Sequence, residues 1–334
     1  MEDLLKQVSR SFYLTLRILP RSIRRQLSLA YLLARASDTV VDTRWIDFAH
    51  RREALLQIRS SIREVCEGME PRVPDFGEFA EAQKAAEAQG IEAERNLLER
   101  FGEILTVLRE FSAGDRRLIR EVLDTITHGQ EMDLIRFGSA SADRIAALGA
   151  DEELDTYTYQ VAGCVGEFWT RMCRSHVFPS ALLDDETLLS NGIRFGKGLQ
   201  LVNILRDLPR DLRQGRCYIP EAQLSKYGLE PRDLLDAGRI GDFRPLLDGY
   251  LRKAADHLGT GWQYTVMLPF RHARIRLACA WPLLIGMKTL DALHRDNVLD
   301  DRLHIRISQS ATNRLILQTV LYYPIPNIWN RLFD

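Results

Sequence analysis

Apolar residues recur at intervals of three and four along most of the 334-residue chain, and alternating runs of β-branched residues are almost absent. A three-four spacing gathers apolar side chains on one face of a helix, whereas a half-buried strand needs a period of two. The pattern therefore predicts an all-α fold. Helices are expected over 2–17, 21–42, 47–68, 90–112, 114–136, 152–175, 185–211, 221–228, 231–236, 243–266, 270–293 and 308–321. Breaks fall at Pro20, the EPRVPDFG stretch from Glu70 to Gly77, Gly138 with its serines, Pro179, and the RQGRCYIP segment ending at Pro220. Ala80 to Gln89, AEAQKAAEAQ, reads as a solvated helix or a connection without chemistry. Neither a repeat of fixed period nor a long linker interrupts the chain, so one helical domain over 1–334 is expected.

Bulk charge removes some functions. With 45 basic and 46 acidic residues the net charge is -1, without the basic excess that nucleic-acid binding calls for. Any phosphate site must be built from local clusters and metal ions. Five scattered cysteines, with no CxxC pair, read as free thiols of a reducing cytosol. The first twenty residues carry charges within their apolar stretch and do not form a secretory signal, so the mature chain is expected to begin here. No run reaches the roughly 18 apolar residues of a spanning helix. Leu277 to Met287 is broken by Pro282, and the tail from Leu315 by Pro324 and Pro326. That tail, with Tyr322, Tyr323 and Trp329, reads either as a terminal segment docked on the domain or as a peripheral contact with the inner membrane surface.

Two acidic pairs carry the chemistry. In Arg35-Ala-Ser-Asp38-Thr-Val-Val-Asp42 the aspartates stand four apart, so both carboxylates share a helix face with Cβ atoms roughly 5 to 6 Å apart. One magnesium could touch both, since Mg²⁺ is usually held by one or two carboxylates with phosphate oxygens and water. Chance alone would give about six acid pairs at this spacing, most of them on solvated faces. The apolar neighbours Leu32, Leu33, Val40 and Val41 argue for a buried pair that wants a cation. The second cluster, Gln200-Leu-Val-Asn203-Ile-Leu-Arg206-Asp207-Leu-Pro-Arg-Asp211, places Asn203, Asp207 and Asp211 on one stripe, with Gln200 a turn earlier. Pro209 interrupts it, so a helix end capped by Asp211 is an equal reading. Arg35 and Arg206 stand beside the pairs, and Arg10 and Arg216 add guanidinium groups suited to bidentate phosphate contacts. Metal ions and guanidinium groups together stabilise the charge that develops when a diphosphate leaves carbon.

A third cluster runs from Asp155 to Gly166. Small residues at Ala162, Gly163 and Gly166 allow close helix approach or leave space for a long apolar ligand. Tyr157 could face a carbocation with its ring and shuttle a proton with its oxygen, or be a core aromatic.

These residues resemble the squalene and phytoene synthase family. SRSFYLTLRILP, YLLARASDTVVDT, HGQEMDL, YTYQVAGCVG and GLQLVNILRDLPRDLRQGRCYIP follow its order and approximate spacing across nearly the whole chain. The resemblance implies an isoprenoid-synthase helical fold around a central apolar cavity. It implies Asp38, Asp42, Asp207 and Asp211, with Asn203, as magnesium ligands and Tyr157 at the proton-transfer position. Arg10, Ser11, Phe12, Tyr31, Arg35, Gln200, Asn203, Arg206 and Arg216 would line the substrate region. Phytoene, dehydrosqualene, presqualene diphosphate and squalene synthases share these motifs. ARASDTVVDT, RLACAWPLLIGMKTL and the basic segment LHIRISQSATNRLI are most similar to the squalene type, where Arg306 would meet NADPH phosphate. The sequence departs from that type at Val41 and Arg210, where acids are expected. The implied reaction joins two farnesyl diphosphates head to head through presqualene diphosphate. The alternatives are a synthase that uses no reductant and an inactive helical lipid-binding scaffold.

Overall fold

The computed structural model describes residues 2–9, 12–85 and 91–333. Helices dominate, as the periodicity predicts. Contacts divide the chain into two compact units, Met1–Gly138 with Arg171–Pro179, and Ser139–Thr170 with Ser180–Asp334.

In the first unit the central element is the Arg21–Asp42 helix, which packs against the Phe48–Cys66, Phe101–Arg109 and Ala113–Phe137 helices. Its Leu29, Leu32, Leu33, Ala36 and Val40 are buried, and they are the apolar face read from the sequence. Each fully buried leucine contributes about 1.5–3 kcal/mol of transfer free energy. Local chemistry sets the neighbouring helix starts. Asp47 accepts from the amides of Ala49 and His50 at 2.8 and 3.2 Å, and the Ser112 hydroxyl accepts from the amide of Asp115 at 3.1 Å.

In the second unit the Asp185–Arg213 helix, capped by Asp184, runs along the Ile240–Met267 and Ala273–Arg295 helices. Asp151–Thr158 continues through a π-helical turn, Tyr159–Gly163, into Cys164–His176, and the division between the units falls within that last helix. The C-terminal Gln309–Tyr322 and Pro326–Trp329 helices complete this unit.

Several expectations change. The helix expected over 2–17 is two, Glu2–Val8 and Phe12–Ile18, with residues 10 and 11 outside the described set. The 90–112 helix divides at Arg100, and the 231–236 helix is a 3-10 turn, Pro231–Leu235. Part of the Ala80 to Gln89 stretch forms the end of the Gly77–Ala85 helix, and residues 86–90 lie outside the described set. Pro209 and Pro282 do not end their helices. A proline removes one backbone donor, and packing of buried neighbours such as Leu205, Leu208 and Leu283 outweighs that loss. A two-residue parallel pairing, Ala146–Ala147 with Arg216–Cys217, was invisible in the sequence, because no period can be read from two residues.

Candidate functional site

The first acidic pair sits at the C-terminal end of the Arg21–Asp42 helix, and its members differ. Asp38 is half-buried, whereas Asp42, the last helical residue, is exposed. The expected buried pair is thus one sheltered and one solvated carboxylate, because the helix ends where the second would be covered. Burial and the Asp42 charge push the Asp38 carboxyl up to about 7, against Arg35 and Gln130, which pull it down. Gln130 of the Ala113–Phe137 helix donates from Nε2 to Asp38 Oδ1. The Arg35 guanidinium is ion-paired with Glu94. Tyr31, one turn before Arg35, donates its hydroxyl to the carbonyl of Val8 at 3.2 Å.

The second cluster lies near the end of the Asp185–Arg213 helix and has the opposite electrostatics. Burial pushes the Asp207 carboxyl up, but Arg206 holds it below the usual carboxylate range with a fork of two hydrogen bonds. These run from Nε to Oδ1 at 2.9 Å and from Nη2 to Oδ2 at 2.7 Å. The charges of Arg210 and Arg306 act in the same direction. Asp211 is buried, with Arg210 Nη2 3.6 Å from its Oδ1, and it lies inside the helix rather than capping it. Gln200 and Asn203 are half-buried on the same helix. A cavity of about 220 Å³ opens here, lined among others by Arg206, Asp207, Arg210, Arg213 and Arg306. Arg306, which only the resemblance singled out, is therefore brought beside the second pair.

Tyr157 stands two residues before the π-helical turn and stacks on Tyr218, with ring centroids 4.8 Å apart and planes 21° apart. Single π-turns inside helices occur often at functional sites. Tyr218 follows the short strand that carries Arg216, so the two-residue pairing brings Arg216 to the same part of the unit. Arg10 and Ser11 lie outside the described residues, and of Phe12 only the backbone, at the start of its helix, is described.

Sequence reasoning missed Gln130, Glu94 and Tyr218. Gln130 and Tyr218 had a signal, since they lie within HGQEMDL and RQGRCYIP; Glu94 had none, because only long-range packing joins it to Arg35.

Each cluster offers two carboxylates, and among the described residues no group of three or more His, Cys, Asp or Glu is arranged to hold a metal ion. That sparse donor set suits magnesium, which completes its shell with phosphate oxygens and water. A carboxyl held near 7 beside a second carboxylate likewise favours a cation.

Two aspartate pairs on helices, each with an arginine within one turn, fit a prenyltransferase-type synthase. The squalene/phytoene synthase model matches residues 5–309, and the chain belongs to that family. It is 26% identical over 333 residues to the squalene synthase of Yarrowia lipolytica, covering 98% of this chain and 68% of that one. It is 28% identical over 262 residues to the bifunctional lycopene cyclase/phytoene synthase of Arthroderma gypseum, covering 75% of this chain and 39% of that one. The structure of TcSQS in complex with the ligand E5700 superposes with a TM-score of 0.71 at 22% identity, over 95% of this chain and 84% of that one.

Proposed function

We propose that this chain joins two farnesyl diphosphates head to head, through presqualene diphosphate, to squalene. The observation that carries this reading is that each acidic pair is accompanied by an arginine engaged with a carboxylate, Arg35 with Glu94 and Arg206 with Asp207. A diphosphate can replace those carboxylates as the arginine's partner. Asp38, Asp42, Asp207 and Asp211, with Asn203, would hold magnesium ions, which supply the positive charge that diphosphate departure requires. Were Asp207 engaged by a cation, the Arg206 fork would be free for phosphate oxygens. Gln130 keeps Asp38 in place, and that carboxylate would be available to a cation. Arg10, Ser11, Phe12, Tyr31, Gln200 and Arg216 would line the substrate in this reading, in a pocket that has to exclude the water that would trap a carbocation as an alcohol. Tyr157, held by its stack on Tyr218, presents its phenol oxygen for the proton lost when the cyclopropane closes and hands its own proton to the released diphosphate.

NADPH would supply the hydride that ends the squalene pathway. The arginines around the second cluster, Arg306 included, suit a phosphate group, so they support a phosphate contact of that cofactor. The single-domain reading over 1–334 and peripheral membrane contact through the C-terminal segment belong to the same proposal. A second reading is supported by the similarity to a phytoene synthase: a synthase that uses no reductant and stops at presqualene diphosphate or a dehydrosqualene-type product.

The deciding experiment incubates the protein with farnesyl diphosphate and magnesium, with and without NADPH, and identifies the hydrocarbon. Squalene that appears only with NADPH is the expected result; the same dehydrosqualene-type product under both conditions selects the second reading. Asp38→Ala and Asp207→Ala should each lower diphosphate release by at least about 100-fold. Release at the parent's rate would identify an inactive lipid-binding scaffold.

A further inference from the structure

At the other end of the Arg21–Asp42 helix the charges run against the helix dipole. Its first turn has no acidic residue, its N-cap is Pro20, and no side chain caps it. Arg21, Arg24 and Arg25 instead crowd the end where the unsatisfied amides already place positive charge. A cavity of about 250 Å³ opens beside them, lined also by Arg17, Ser28 and a single acid, Glu2.

Two of the four arginines are occupied. Arg24 donates twice to the carbonyl of Leu19, at 3.1 and 2.7 Å, and Arg25 pairs with Glu110 and lies 5.5 Å from the centre of the Phe111 ring. Arg17 and Arg21 are exposed and have no carboxylate partner among the described residues. Independently of the arginines, Ser28 lines the cavity while only 3% exposed, and its hydroxyl makes no hydrogen bond among the described residues. A nearly buried donor left without an acceptor beside excess positive charge asks for a ligand that is both anionic and rich in oxygen.

We propose that this cleft is an anion site that takes a phosphate or diphosphate group, separate from the aspartate pairs. Arg24 and Asp38 are 14 residues apart on one helix, about 21 Å at 1.5 Å per residue, too far for a single diphosphate to touch both. The volume falls below the roughly 300–1,000 Å³ of pockets that enclose drug-sized ligands, so it suits a small anion or the head group of a phosphate ester. The site stands whether or not the catalytic reading does.

The test is calorimetric titration of the full chain with inorganic diphosphate at low salt in EDTA, where magnesium-dependent binding is silent. The Arg17→Ser/Arg21→Ser double variant should bind about tenfold more weakly or worse. Ser28→Ala should weaken binding by a smaller factor. Unfolding midpoints equal to the parent's verify that the exposed arginines are not needed for folding. The same titration with farnesyl diphosphate distinguishes the occupants. A parallel loss includes ester head groups, and a loss confined to the inorganic anion restricts the site to free anions. Diphosphate binding by the double variant with the parent's affinity, or no binding by the parent, overturns the proposal.

Discussion

Two aspartates that look equivalent in the sequence, Asp38 and Asp207, receive opposite treatment from their surroundings. The carboxyl of Asp38 is raised by burial and by Asp42, whereas the fork from Arg206 outweighs burial at Asp207. Among the described residues, the amide of Gln130 is the neutral donor on Asp38. Gln130→Leu should raise the magnesium concentration for half-maximal activity by about tenfold, the weight of one hydrogen bond to a charged group. Activity titrated against magnesium tests this, and Gln130→Asn, which keeps an amide, should recover part of the loss. Away from the site, burial and the charges of Arg194, Lys253 and Lys197 push His257 down to about 4, while Asp256 opposes them weakly. Its Nδ1 accepts from Arg194 Nε at 3.1 Å, so the neutral ring carries its hydrogen on Nε2. Between the ordinary value of 6.5 and about 4, the unfolded chain binds a proton that the folded chain refuses. Stability present above 6.5 is therefore lost as the pH falls toward 4, by about 2 kcal/mol for this half-buried group. Urea midpoints at both ends of the window measure the loss, and His257→Gln should flatten it.

Among the elements, the contact between the Tyr159–Gly163 turn with the following helix and the Asp185–Arg213 helix is governed by glycine. A Cβ at Gly166 would stand 1.8 Å from the carbonyl oxygen of Gly192, and one at Gly196 would stand 2.1 Å from that of Ala162. The small residues of the VAGCVG motif therefore serve close helix approach, one of the two readings its sequence left open. This contact holds the helix carrying Tyr157 against the helix carrying Asp207. Gly196→Ala should cost more than about 2 kcal/mol, because backbone must move to admit the methyl group. Gly249, inside the Ile240–Met267 helix, has nothing within 4 Å of an added Cβ. Gly249→Ala should stabilise by up to about 1 kcal/mol through helix propensity alone. Chemical denaturation of both variants separates steric from conformational effects; equal shifts would contradict the packing argument.

Over the molecule as a whole, charge is nearly balanced but unevenly placed. Residues 302–333 contain four arginines and neither aspartate nor glutamate. The aromatic residues expected at a membrane surface are mostly turned inward: Trp329 and Tyr323 are buried over Arg276, whose guanidinium lies 4.6 Å and 5.7 Å from their ring centres. What remains outside is mainly aliphatic, with Leu317 57% and Leu321 60% exposed beside Val320, Tyr322, Ile325 and Ile328. Among the described residues no helix is long and apolar enough to cross a membrane. An aliphatic face in a segment of positive charge suits an anionic bilayer surface. Sedimentation with phosphatidylglycerol vesicles should capture the protein more strongly than with phosphatidylcholine. Leu317→Ser/Leu321→Ser should lower that capture several-fold without altering secondary structure, and unchanged capture would exclude this face.

Periodicity and spacing determined the helical class, most helix positions and the two acidic pairs, because a helix is built from contacts three and four residues apart that a sequence displays directly. The five cysteines behave as the scattered pattern implies, forming no disulfide. Tertiary structure alone decided that Asp42 is exposed while Asp211 is buried, that Arg35 is held by Glu94, and that Arg306 reaches the second cluster. It also decided that Pro209 and Pro282 lie within helices. These outcomes depend on neighbours distant in the chain and on the balance of burial against charge, neither of which is encoded at any fixed spacing.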